Sequence, residues 1–149
     1  NGPAVLAIAN SGKGKLKRSS KKILNELIEA DRVRMLGIID PIIFLAACDI
    51  VALTYVSSSV YHLPQVMLEA FASSTAVITT NVGGIAELVK SGQTGLVVPP
   101  NDSNAVTNAI ENLVFDLPRT HKMGSNARRE FVNNLSREGL IDLIQNLAD

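Results

Sequence analysis

The sequence predicts an α/β fold, a parallel sheet with helices on both faces, and three observations carry that reading. Five short apolar runs have strand length: Ala4–Ala9, Val33–Leu36, Ile50–Leu53, Ala76–Thr79 and Leu96–Val98. Runs such as Ala4–Ala9 are continuously apolar, which suits strands covered on both faces. Segments of helical spacing separate the runs, and strict alternation of strand and helix gives parallel pairing through crossover helices.

The elements follow in order. After Ala4–Ala9 comes N-S-G-K-G-K-L-K-R-S-S-K-K, rich in lysine. It fails the phosphate-loop pattern, which needs a glycine separated by four residues from Gly-Lys and a hydroxyl after the lysine; here Leu16 follows Lys15. A solvated loop fits it, and steering of an anionic ligand or an anionic membrane surface stays open. Ser20 is the expected cap of a helix whose apolar side is Ile23, Leu24, Leu27 and Ile28. Val33–Leu36 is ended by Gly37, a short helix runs from Pro41 through Ala47, and Ile50–Leu53 is the third strand. Pro64 suits the first position of the next helix, where a missing N–H costs nothing. A Gly83–Gly84 turn and a further helix lie between the last two strands. Asp102 caps a helix carrying Val106, Ala109, Ile110, Leu113 and Val114; Pro118 opens another through Asn133; Ser136 caps a last one with Leu140, Ile144 and Leu147.

Composition sets outer bounds. The 149 residues are one domain's worth, 46% are hydrophobic, and the formal net charge is zero, so no nucleic-acid partner is expected. No apolar run reaches the roughly 20 residues that span a bilayer. One cysteine, Cys48, cannot form an internal disulfide and reads as a small core residue; a reducing, cytoplasmic setting is the simplest expectation. His62 and His121 have no nearby ligand partner, so no metal site is expected.

The chemistry concentrates between Tyr61 and Asp102, where Glu69 is the one acid among Val66, Met67, Leu68, Ala70 and Phe71. A carboxylate in so apolar a run needs a partner or water. The stretch resembles the nucleotide-sugar-binding half of the group 1 (family 4) glycosyltransferases, retaining enzymes of the GT-B architecture. The matching residues are Pro64, Glu69, Ala70, Ala72, Val77, Ile78, Val82, Gly83, Gly84, Glu87, Leu88, Val89, Gly95, Leu96, Val98, Pro99, Pro100 and Asp102. Upstream, D-R-V-R-M-L-G (Asp31–Gly37) and A-A-C-D-I-V-A-L (Ala46–Leu53) are similar to further family segments.

The resemblance implies a Rossmann-like domain, the C-terminal half of a GT-B fold. It implies transfer of a sugar from a nucleotide-diphosphate donor, which is substrate rather than cofactor. In such a sheet the ligand sits beyond the carboxyl ends of the strands, where helix starts offer free N–H groups and a positive dipole end to a diphosphate. The expected donor site is Tyr61, His62, Leu63, Pro64, Gln65 and Val66, with Glu69 on the ribose hydroxyls, Gly83 and Gly84 at the second turn, and Leu36, Gly37 and Ile38 beside the base. Glu69 could instead complement its own helix dipole, the glycine pair could serve the turn alone, and Glu87 reads as a first-turn helix acid.

The chain departs from the pattern at several points. The first of the family's paired glutamates falls on Tyr61 and the glycine after it on His62, while the later glycine and proline are Ser74 and Ala76. About three extra residues lie around Val56–Val60. A tyrosine is neutral at pH 7 and cannot supply a carboxylate's charge beside the sugar, so no catalytic residue is assigned. The resemblance also implies that residues 1–149 are a single donor-binding domain, an excised piece lacking the acceptor domain and the first strand of its own domain. An acceptor sugar or lipid-linked glycan would bind the missing domain, peripheral membrane association stays open, and the isolated piece is expected to be inactive. A catalytically silent nucleotide-binding or scaffolding relative, and a GT-B epimerase or phosphorylase, are the alternatives.

Overall fold

The computed structural model describes residues 4–9, 18–56 and 65–136. Within them five strands alternate with helices in two compact units, residues up to Asp40 and residues from Pro41, and each strand is parallel to the strands it pairs with. The expected five strands pair, among the described residues, as one two-stranded and one three-stranded sheet.

In the first unit β1 (Leu6–Ala9) lies parallel to β2 (Val33–Gly37), with Leu6 opposite Val33 and a register break between Ile8 and Ala9. Between them α1 runs from Arg18 to Glu29. Ser20 is therefore the third residue of the helix and not its cap. Arg18 and Ser19 are adequate helix residues, so cap chemistry at Ser20 did not fix the start.

In the second unit β3 (Ile50–Leu53), β4 (Ala76–Thr80) and β5 (Gly95–Val98) form a sheet in that order. Ile50 pairs with Ala76 and Leu53 with Thr79; Val77 pairs with Gly95 and Thr80 with Val98. Every residue of β4 is buried. Its side chains alternate faces, as the two-residue period of a strand demands. Val77 joins Leu45, Met67, Ala70, Phe71, Ile85, Val89 and Ala127, while Ala76 and Ile78 join Val98, Ala109, Leu113 and Met123. Hence α2 (Pro41–Ala46), α3 (Gln65–Ala72) and α4 (Ile85–Leu88) serve one face and α5 (Ser103–Val114) the other. α6 (Leu117–Glu130) contributes Met123 to one cluster and Ala127 to the other. Each fully buried Leu, Ile, Val, Met or Phe side chain among them contributes about 1.5–3 kcal/mol.

The caps are local and satisfy orphan N–H groups. The carboxylate of Asp102 accepts from Ala105 N–H at 2.9 Å, as its sequence position predicts, and Asp116 does the same for Arg119 N–H at 3.1 Å. α6 thus begins one residue before Pro118, and a π-helical turn, Phe131–Leu135, continues it. Ser136 closes that turn, its N–H on Phe131 O and its hydroxyl on Val132 O; the helix it was expected to open lies outside the described residues. Lys90 Nζ lies 2.6 Å from Glu130 and ties the chain after α4 to the end of α6. That hydrogen bond holds the Glu130 carboxyl below the usual carboxylate range against the opposing effect of its burial.

Between α3 and β4 the chain turns at Ser73–Ser74, and Ser74 has φ +61°. This is the position where the family pattern carries glycine. A side chain in the left-handed region costs about 1–2 kcal/mol, partly offset by the greater freedom of an unfolded glycine. Ser74→Gly should therefore stabilise by about 0.5–1 kcal/mol and raise Tm by roughly 1–4 °C. A lower Tm in a thermal melt would contradict the strain assigned to Ser74.

Candidate functional site

The helix α3 is set by its C-terminal end. Thr75 N–H donates to Ala70 O at 2.9 Å, so the end of α3 sits at the amino end of β4, while the buried Thr75 hydroxyl donates to Leu45 O of α2 at 2.7 Å. Running antiparallel to the strand it packs on, the helix directs its start toward the carboxyl edge. The Gly83–Gly84 turn follows β4 directly and lies at that same edge. Asn81 N–H donates to Val98 O and Val82 N–H to Thr80 O, both at 2.8 Å, and these bonds fix the chain up to the turn.

Glu69 is the fifth residue of α3, one turn after the exposed Gln65 and on the same side. It is half-buried, and among the described residues its carboxylate has no hydrogen-bond or ion-pair partner. Met67, Ala70 and Phe71 face inward, and Val66 is half-buried against the same cluster. Gly83 has φ +56°, a conformation that glycine takes without strain. Gly84 is different: its φ is −75°, and a Cβ added there would meet nothing within 4 Å. The turn needs its first glycine and not its second. Glu87 is exposed in the first turn of α4, as a dipole-complementing acid would be.

The other expected site residues belong to the first unit or fall outside the described residues. Leu36 and Gly37 end β2 in the first unit, followed by the highly exposed Ile38. Tyr61, His62, Leu63 and Pro64 lie outside the described residues. Sequence reasoning missed Thr80 and Tyr55. The Thr80 hydroxyl is bonded to both the N–H and the carbonyl of Tyr55. Burial pushes the Tyr55 phenol above its usual pKa.

Two open clefts bordered by described residues are not at this edge. One, of about 290 Å³, is lined by Cys48, Asp49, Ser74, His121 and Ser125 beside the amino ends of β3 and β4. There His121 Nε2 lies 3.0 Å from Asp49 Oδ1. Cys48 is half-buried on its wall rather than in the core, and burial, with Asp49 beside it, pushes the thiol up, away from nucleophilic use. The other, of about 560 Å³, lies between α5 and α6 around Asn112, Phe115 and Arg119. Parallel sheets bind ligands at the carboxyl ends of their strands, so the edge with α3 and Gly83 is the stronger candidate. No described helix is long and apolar enough to cross a membrane.

The family described as glycosyl transferases group 1 matches residues 2–130. The chain belongs to that family. Among curated members it is similar to the lipopolysaccharide core biosynthesis mannosyltransferase LpcC of Rhizobium leguminosarum bv. viciae. The two are 34% identical over 109 residues, which cover 68% of this chain and 31% of LpcC. The chain thus spans about a third of the length of this group 1 relative. Its fold matches sucrose-phosphate synthase (tll1590) from Thermosynechococcus elongatus with a TM-score of 0.72 and 27% identity, over 98% of this chain and 37% of that one. It also matches Anabaena Alr3699/HepE, solved in complex with UDP-glucose, with a TM-score of 0.66 and 29% identity over 85% and 35% of the two chains. The expected Rossmann-like α/β architecture is the one this group 1 chain has.

Proposed function

We propose that this chain is the donor-binding domain of a retaining glycosyltransferase that moves a sugar from a uridine-diphosphate donor to a sugar or lipid-linked glycan held by another part of the protein. The observation that carries the reading is Glu69. It is a half-buried carboxylate with no partner among the described residues, on the second turn of a helix whose start is directed to the carboxyl edge of the sheet. Its place beyond the first turn speaks against a role in complementing the dipole, which acts within that turn. Two acceptor oxygens suit the two hydroxyls of a ribose. The start of α3 and the Gly83–Gly84 turn offer backbone N–H groups to the diphosphate. The UDP-glucose complex of the Anabaena relative supports uridine as the base. Tyr61, standing where the family pattern has glutamate, favours the silent relative as the second reading.

Gly84 supplies a test independent of Glu69. Since its backbone is unstrained and its surroundings open, Gly84→Ala should leave Tm within about 2 °C of wild type, the range of a surface substitution. If the diphosphate approaches the backbone there, the same methyl should weaken UDP binding about tenfold. Calorimetric titration of UDP into both proteins reads this directly, and unchanged affinity would leave Gly84 out of the site.

A further inference from the structure

Thr80 is the last residue of β4 and is 2% exposed. Its hydroxyl is bonded twice to one residue of the neighbouring segment: Tyr55 N–H donates to Oγ1 at 2.9 Å, and Oγ1 donates to Tyr55 O at 2.7 Å. Tyr55 lies two residues beyond β3, where the ladder has ended with Leu53 opposite Thr79. The side chain therefore replaces the strand partner that Tyr55 lacks. The carbonyl of the same threonine accepts Val82 N–H at 2.8 Å, which sets the approach to Gly83. One residue thus joins both segments that leave the carboxyl edge, the one leading from β3 toward α3 and Glu69 and the one entering the glycine turn. Strand packing alone would be served as well by valine, which has nearly the same volume and a comparable preference for strands. Valine would leave both backbone groups of Tyr55 without their partner.

We propose that Thr80 is a positioning residue of the donor site, holding Tyr55 and the approach to Gly83 in the register at which this edge engages the nucleotide; this rests on the donor-binding reading above. Thr75 provides the matched control. It is equally buried, and its hydroxyl also donates to a carbonyl across the unit, Leu45 O at 2.7 Å, but at the amino end of β4. Thr80→Val should weaken UDP binding by about tenfold or more and speed amide hydrogen exchange at Tyr55. Thr80→Ser, which keeps the hydroxyl, should restore both. Thr75→Val should lower Tm by a comparable amount while UDP affinity stays within about twofold.

The experiment is calorimetric titration of UDP into the chain and these three variants, with Tm and Tyr55 exchange measured alongside. Should Thr80→Val not fold, Thr80→Ala takes its place under the same criteria. Folded Thr80→Val that binds UDP like wild type, or Thr75→Val that loses as much affinity, overturns the assignment. A wild type that binds UDP at no measurable level removes the donor-binding reading and this assignment together.

Discussion

Gly124→Ala should lower Tm by roughly 4–8 °C, a large loss of stability for the addition of a single methyl group. Gly124 lies buried in α6, where the helix crosses the turn between α3 and β4. A Cβ there would run into the backbone carbonyl of Ser74 and press on Ala76 N. Neither atom is the end of a flexible side chain. Ser74 is already held at φ +61°, and Thr75 beside it is tied to Ala70 and Leu45. The turn cannot yield without disturbing β4, so α6 must move outward. Overpacking that shifts backbone costs about 3 kcal/mol or more at the upper end of the usual range. Alanine's better helix propensity returns about 1 kcal/mol. A net loss near 2 kcal/mol gives the stated change in Tm for a chain of this size. Gly84→Ala, where the same methyl meets open space, is the internal control in the same thermal melt. Equal Tm values for the two variants would mean that α6 does not sit against Ser74 as described.

The legible part of the fold was the part written in local chemistry. Ile50–Leu53 is the third strand to the residue, and β4 and β5 each differ from expectation by one residue at an end. A short β-branched run between a helix and a glycine turn leaves few other conformations open. The Asp102 cap was legible for the same reason, because a carboxylate reaching a nearby N–H depends on sequence spacing alone. The start of α1 was not, since a serine suits either a cap or a helix interior. The bonds of Thr75, Thr79 and Thr80 to Leu45, Leu53 and Tyr55 were out of reach, because they join segments 25 to 30 residues apart.

The same division holds at the candidate site. Glu69 was visible because an acid in an apolar helix is costly unless it has work to do. Gly83 was visible as a turn residue, and the positive φ bears that out; the separate status of Gly84 needed the backbone angles and the empty space around it. Thr80 gave no signal, since threonine at a strand end reads as an ordinary β-branched residue. Ser74 gave half of one. Its residue type says nothing about a left-handed turn, but the glycine of the family pattern at that position already pointed to one.

Glu69→Ala should weaken UDP binding by roughly 10- to 150-fold, the largest effect on function expected from any single change. Hydrogen bonds to a charged group contribute about 1.5–3 kcal/mol, which converts to that range. Glu69→Gln should lose less, since one acceptor oxygen remains. Neither variant breaks a hydrogen bond or ion pair to a described residue, so Tm should stay within about 2 °C of wild type. The measurement is calorimetric titration of UDP into wild type, Glu69→Gln and Glu69→Ala, each checked by thermal melt. Affinity that falls in that order at constant Tm is the result the account predicts. Wild-type affinity in folded Glu69→Ala would contradict it and take Glu69 out of the donor site.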